Sequence, residues 1–185
     1  MKTGPDSLAS PPDLSQTIFL VGFMGAGKSS VGQALSRRLG WRFVDLDDRI
    51  AAREGRSIEQ IFRESGEARF REIEHAELRS LISELHASRA VVALGGGAFA
   101  QAENIALMAE MRARTVFLDG DVAELLRRCR GEGRVRPLLE DESEFRRLYH
   151  SRRASYLSAS LLIETGRKDV DTVVEELQRR LGLSR

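Results

Sequence analysis

Gly22-Phe23-Met24-Gly25-Ala26-Gly27-Lys28-Ser29 is the stretch on which the reading of this chain turns. An apolar run, Ile18-Phe19-Leu20-Val21, leads into it, and Val31, Ala34, Leu35 and Leu39 follow at helical spacing. Strand, glycine-rich turn and helix start are the context in which G-x-x-x-x-G-K-[ST] forms a P-loop. Glycine tolerates backbone conformations that aim successive N–H groups inward at phosphate oxygens. The helix N-terminus adds partial positive charge and Lys28 a full one. Ser29 adds a hydroxyl for a magnesium ion bridging the β- and γ-phosphates. A plain glycine turn before a helix needs neither that lysine nor that hydroxyl. The loop binds a nucleoside triphosphate, and what happens to the γ-phosphate has to be read from the rest of the chain.

Composition narrows the classes. The 185 residues suit one domain with a full core. Twenty-nine basic and 28 acidic residues leave a net charge of +1, so nothing global suggests a nucleic-acid partner and any positive surface is local. Cys129 is the only cysteine, which excludes an intrachain disulfide and a cysteine metal cluster and suits a reducing cytoplasm. Residues 1–15, with Pro5, Pro11 and Pro12 among Ser, Asp and Gly, read as a disordered N-terminal tail ahead of a domain over 16–185. They lack the basic start and apolar centre of a signal peptide. No apolar run approaches the roughly 20 residues of a membrane helix. The expectation is a cytoplasmic protein with no membrane partner.

Five apolar runs, Thr17–Val21, Arg42–Leu46, Ala90–Leu94, Thr115–Leu118 and Leu161–Glu164, alternate with amphipathic segments. That alternation predicts an α/β three-layer sandwich, a five-stranded mainly parallel sheet flanked by helices, with its site at the carboxyl ends of the strands. Gly40 is placed to close the first helix. Ser57-Ile58-Glu59-Gln60 reads as a capping box, and residues 67–85 keep a helical period through Phe70, Ile73, Leu78, Leu81, Ile82 and Leu85. Two further amphipathic helices are predicted over 122–130 and 170–181. Gly131-Glu132-Gly133-Arg134-Val135-Arg136-Pro137 breaks the order, and glycines among arginines predict a mobile lid over about 131–141.

Three constellations carry chemistry. The second run ends in Asp45-Leu46-Asp47-Asp48, and on an extended segment Asp45 and Asp47 project from the same face. A magnesium site uses one or two carboxylates, and a kinase needs a carboxylate to orient or deprotonate a hydroxyl. The competing reading is helix N-capping by Asp47 or Asp48 ahead of Arg49-Ile50. Gly95-Gly96-Gly97, after Val91-Val92-Ala93-Leu94, allows backbone to approach a ligand closely and leaves N–H donors unobstructed. Arg71, Arg136 and Arg152 offer planar forks for carboxylate or phosphate. Val116-Phe117-Leu118-Asp119-Gly120 has the look of a Walker B strand, but capping of the helix from Asp121 is the preferred role for Asp119. His75, His86 and His150 have no partner spacing and read as structural.

Taken in chain order, Gly22–Ser30, Asp45–Asp47, Gly55-Arg56-Ser57-Ile58, Phe70-Arg71, Leu94–Ala98 and Arg136-Pro137-Leu138-Leu139 resemble shikimate kinase over about residues 16–181. The resemblance implies an enzyme that uses ATP and Mg2+ to phosphorylate the 3-hydroxyl of shikimate, giving shikimate 3-phosphate and ADP in chorismate and aromatic amino-acid biosynthesis. It implies that Gly25, Ala26, Gly27, Lys28, Ser29 and Ser30 hold ATP, and that Ser29 and Asp45 hold magnesium. Asp47 matches the residue that binds the ring hydroxyls and is placed to act as base; Lys28 and Arg136 complete the catalytic set. Arg71, Gly96 and Arg152 match positions that grip shikimate, and Arg167 falls near the adenine-side loop. The same resemblance implies a monomer. Two departures stand out. Where the family has Arg-x-Pro-Leu-Tyr, this chain has Arg152-Arg153-Ala154-Ser155-Tyr156; the spacing to Tyr156 favours Arg152, with Arg153 the alternative. Arg128 and Arg130 are equal candidates for stacking on adenine. The rivals are a gluconate kinase-like enzyme and a non-catalytic module that senses nucleotide and ligand. Gly95–Gly97 with Arg71 and Arg152 favours a small cyclic acid, and the absence of an Asn-Lys-x-Asp motif argues against a GTPase.

Overall fold

Each apolar run becomes a strand: β1 (Thr17–Val21), β2 (Arg42–Asp45), β3 (Ala90–Ala93), β4 (Arg114–Asp119) and β5 (Leu161–Glu164). The computed structural model describes Leu14 and residues 16–86, 88–131 and 141–183. Residues 132–140 of the expected lid, Arg136 among them, and all of the expected tail except Leu14 lie outside those residues; Leu14 itself is buried in the core. The strands pair in the order β2-β3-β1-β4-β5, and every pairing is parallel. β1 and β3 are buried at every position, as strands covered on both faces must be, while the edge strands β2 and β5 are only partly covered.

The helices are α1 (Lys28–Leu39), α2 (Leu46–Glu54), α3 (Ile58–Glu84), α4 (Ala102–Glu110), α5 (Val122–Gly131), α6 (Glu142–Tyr156) and α7 (Val170–Leu181). The chain leaves β1 toward one edge of the sheet and then returns through β3 to the other. Right-handed crossovers therefore put α1 on one face and α2 to α6 on the other. α7 packs on α1, completing the third layer. Gly40 ends α1 in the left-handed conformation at φ 67°. Ser57 and Gln60 form the expected capping box, Gln60 N donating to Ser57 Oγ at 3.2 Å and Ser57 N to Gln60 Oε1 at 2.7 Å. α3 breaks at Gly66 (φ 77°, ψ 170°), so its long second limb starts where the helical period begins in the sequence. Buried Glu77 of α3 is paired with Arg49 and Arg53 of α2, joining these helices into one unit.

Two expectations need correction. The second strand stops at Asp45, and Leu46, fully buried, opens α2 instead of continuing the strand. Asp45 and Asp47 are therefore not neighbours on an extended face. Asp45 is the N-cap of α2, its Oδ1 accepting from Asp47 N at 3.0 Å, and Asp47 lies in the first helical turn. Asp119 does not cap α5. Asp121 does, accepting from Ala123 N at 2.9 Å and Glu124 N at 3.2 Å, because Asp119 still belongs to β4.

Candidate active site

The glycine loop leaves the end of the central strand β1 and feeds α1. Gly25 shows why the loop needs glycine: its φ is +77°, and a Cβ there would sit 2.6 Å from Leu125 O and 2.8 Å from the sulfur of buried Cys129. Lys28 Nζ donates to Gly22 O at 2.8 Å and to Phe23 O at 3.0 Å, curling its side chain back over the loop. Ser29 Oγ donates to Asp45 Oδ2 at 2.6 Å. The first turn of α1 and the cap of α2 thus set two oxygen ligands side by side beyond the carboxyl ends of β1 and β2, the two strands that flank β3. A hard cation that keeps several waters and takes phosphate oxygens needs no more protein than this, so the pair fits magnesium. Among the described residues no cluster of three or more His, Cys, Asp or Glu could hold a metal by itself. Ser30 follows, exposed on the first turn of α1.

Beside this pair opens a cavity of about 350 Å³ lined by Asp47, Phe62, Arg71, Glu74, Gly96 and Arg152 among others. The glycine triplet forms one wall, and each member makes room for something different. A Cβ on Gly95 would lie 2.5 Å from Asp47 Oδ1 and 2.9 Å from Glu74 Oε1. One on Gly97 would enter the Arg71 guanidinium. One on Gly96 would meet only the glycine loop, at 3.6 Å from Met24 N and 3.9 Å from Gly22 O. The triplet clears space for the site's own acids and base as much as for a ligand.

The two expected arginines converge on this cavity by different routes. Arg71 stacks on Phe62 and Phe70, at 5.8 and 5.1 Å from the ring centres, and pairs with Glu67 at 2.9 Å and Glu74 at 2.7 Å. Arg152 is half-buried and reaches Gly96 O at 3.4 Å, with no carboxylate within ion-pair distance among the described residues. Burial pulls its pKa below the usual arginine value. Arg153 points the other way and pairs with Asp119 at 2.6 Å, so the cavity takes Arg152 and leaves the alternative aside. Tyr156, wholly buried, donates to Gly96 O, and burial pushes its hydroxyl up to about 12.

Glu74 is a residue of this site that the sequence reading passed over. It is fully buried; its Oε2 accepts from Arg71 at 2.7 Å and Gln101 Nε2 at 2.6 Å. Its Oε1 is the one buried side-chain polar atom without a partner among the described residues. Burial holds the carboxyl above the usual carboxylate range despite Arg71, and the charge of Asp47 adds to the shift. The only signal in the sequence is its place three residues beyond Arg71 on the same helix face.

On the opposite side of the loop, Arg128 donates to Thr165 O at 3.3 Å and so faces the segment carrying Arg167, which is exposed with a positive φ of 57°. Arg130 leans toward Glu142 instead, at 3.7 Å. Among the described residues no helix is long and apolar enough to cross a membrane.

A phosphate-binding loop on the central strand of a parallel sheet, with a hydroxyl–carboxylate pair beside it and a charged cavity next door, defines a P-loop kinase that acts on a small molecule. Residues 24–182 match the family model for shikimate kinase. The chain is similar to shikimate kinase from Geobacter sulfurreducens, 42% identical over 94% of each chain. It is 39% identical to shikimate kinase from Persephonella marina, covering 90% of this chain and 99% of that one. A solved structure of shikimate kinase from Acinetobacter baumannii in complex with shikimate is 36% identical and superposes over 94% of each chain with a TM-score of 0.79. The chain belongs to the shikimate kinase family. A gluconokinase from Sinorhizobium meliloti, 19% identical with a TM-score of 0.55, shares the fold alone.

Proposed function

We propose that this chain transfers the γ-phosphoryl group of ATP to the 3-hydroxyl of shikimate, supplying shikimate 3-phosphate for chorismate and aromatic amino-acid synthesis. The observation that carries the proposal is Arg152, a half-buried cation with no carboxylate partner among the described residues, sharing one cavity with Arg71 and Asp47. Desolvating a charge without a counterion is unfavourable, and an anionic ligand relieves it. A small hydroxylated carboxylate meets all three groups at once: Arg152 and Arg71 take the carboxylate and Asp47 takes the hydroxyls.

Gly25, Ala26, Gly27, Lys28 and Ser30 hold the triphosphate by loop N–H groups and the lysine charge. Ser29 and Asp45 hold magnesium, which neutralises phosphate charge when bound. Asp47 orients the attacking hydroxyl and accepts its proton, Gly96 offers its N–H to the acceptor carboxylate, and Arg136 reaches the phosphates. Arg167 and Arg128 flank the base. Because phosphoryl transfer is mostly positioning and charge neutralisation, this set suffices without a covalent intermediate. A monomer in the cytoplasm, without a membrane partner, belongs to the same reading, and the near-neutral net charge gives no global electrostatic attraction to nucleic acid. An ADP-release assay comparing shikimate, quinate and gluconate tests the assignment. Turnover is expected with shikimate, and turnover with gluconate alone would overturn it.

A further inference from the structure

α6 crosses the carboxyl ends of three neighbouring strands, β3, β1 and β4, and touches each through a different pair of side chains. Beyond β3, Arg152 and Tyr156 both donate to Gly96 O. Beyond β1, Phe145 and Tyr149 pack edge-on against Phe23 of the glycine loop, ring centres 5.0 and 5.5 Å apart. At the end of β4, Tyr149 OH donates to Asp119 Oδ1 at 3.1 Å and to Gly120 O at 3.1 Å, while Arg153 donates to Asp119 Oδ2 at 2.6 Å. Asp119 is itself fixed: its carbonyl accepts from Thr165 N at 2.7 Å and Thr165 Oγ1 at 2.8 Å.

We propose that Asp119, Tyr149 and Arg153 are positioning residues that set the rotation of α6 about its axis and so aim Arg152 at the acceptor's carboxylate. This rests on the reading of Arg152 as an acceptor ligand. Residues four apart share a helix stripe, so Tyr149 and Arg153 form one stripe and Arg152 and Tyr156 another. Successive residues diverge by about 100°, which is why adjacent arginines serve different strand ends. Asp119 grips one stripe at two points a turn apart, one point on each carboxylate oxygen. A helix held on one stripe can roll about that stripe; held on two, it cannot. A roll of about 10° would move a guanidinium some 6 Å from the axis by about 1 Å. Displacements of that size cost up to about a hundredfold in a positioned reaction. The packing of Phe145, Tyr149 and Tyr156 already secures α6 to the domain, and Arg153 is more than a third exposed, so its ion pair adds direction more than stability.

Steady-state kinetics with both substrates, alongside thermal denaturation, test the proposal. Arg153→Ala is expected to raise the KM for shikimate about tenfold, with the KM for ATP unchanged and Tm within about 2 °C. Arg153→Lys should recover part of the loss. Tyr149→Phe keeps the ring on Phe23 and removes only the hydroxyl, and should raise the same KM about threefold. Arg152→Ala is the reference. If it raises the KM for shikimate and neither Arg153→Ala nor Tyr149→Phe does, the positioning role is wrong and the acceptor reading stands. If Arg152→Ala leaves that KM alone, the acceptor reading falls and takes the proposal with it. Equal changes in both KM values with a large fall in Tm would mark the trio as merely structural. Should Arg153→Ala fail to fold, Arg153→Lys and Tyr149→Phe decide the question by the same KM split.

Discussion

A single methyl group added at Gly95, Gly96 or Gly97 should produce three different enzymes. At Gly95 the new Cβ would lie 2.5 Å from Asp47 Oδ1 and 2.9 Å from Glu74 Oε1, so the Asp47 carboxylate must shift. Overpacking of this kind costs about 2 kcal/mol, and the lower entropy of the unfolded alanine chain returns about 0.5–1 kcal/mol. The net loss of about 1 kcal/mol lowers Tm by about 3 °C in a domain of this size. Moving Asp47 by about 1 Å should cut kcat about a hundredfold, since the hydroxyl it orients no longer lines up with the phosphate. At Gly97 the methyl meets Arg71, whose long side chain can swing away. The expected cost falls on the KM for shikimate, about tenfold, with kcat reduced less. At Gly96 the nearest atoms are at 3.6 Å or beyond and the backbone N–H is retained, so Gly96→Ala should stay within about threefold of the parent. The assay is ADP release at saturating ATP over a range of shikimate, with Tm for each variant. A Gly96→Ala variant worse than the other two would refute the reasoning, as would three indistinguishable variants.

Further outcomes follow from other contacts. Asp45→Ala should lose about 1 kcal/mol through the missing cap of α2, whereas Asp45→Asn keeps the cap. Both should need more magnesium for half-maximal activity, so equal magnesium titrations for parent and Asn variant would remove Asp45 from the metal site. Glu74 holds its proton to higher pH in the folded chain than in the unfolded one, because burial dominates its titration. Folding therefore loses stability as pH rises from the unfolded pKa through the folded one, and Glu74→Gln escapes that loss. The Tm difference between Glu74→Gln and the parent should move in the variant's favour from pH 4 to pH 7, and a drift the other way would show that Arg71 outweighs burial. Glu77 behaves oppositely. Burial pushes its carboxyl up, but hydrogen bonds from Arg49 and Arg53 outweigh this and hold it below the usual range. Its contribution is present at neutral pH and lost as pH falls through the folded pKa. With Arg53 63% exposed, Glu77→Ala should cost about 2 kcal/mol at pH 7, less than a fully buried pair, and almost nothing in strong acid.

The P-loop is legible in sequence because phosphate binding there uses contiguous residues, and the strands are legible because parallel strands buried on both faces are written as unbroken apolar runs. The run Arg42–Leu46 reads one residue too long for a physical reason. Leu46 is apolar because it faces the core from the first turn of a helix, and an apolar residue does not announce which element carries it. Asp47 stands out in the sequence through an extended geometry it does not have; what brings it to the cavity is the N-terminal turn of α2. Glu74 sits among charged residues of a long helix and looks solvated. Its burial depends on Gln101 and the bare backbone of Gly95, which no local pattern encodes. Asp119 reads as a helix cap for the same reason, since its partner Arg153 lies 34 residues away. The choice between Arg152 and Arg153 turns on how α6 is rotated against the sheet, which only the assembled fold decides.

The all-parallel sheet also governs how this chain can be made. Thr17 of β1 is paired with Ala90 and Ile18 with Arg114, so the strand that carries the phosphate loop is synthesised first and waits longest for its neighbours. No hairpin exists among the described strands to shelter it in the meantime. The α2–α3 unit, tied by Glu77 to Arg49 and Arg53, is the local structure that can form before β3 emerges. Until residue 119 has left the ribosome, Ile18-Phe19-Leu20-Val21 is an exposed apolar segment, and the nascent chain is most exposed to aggregation and chaperone capture over that interval.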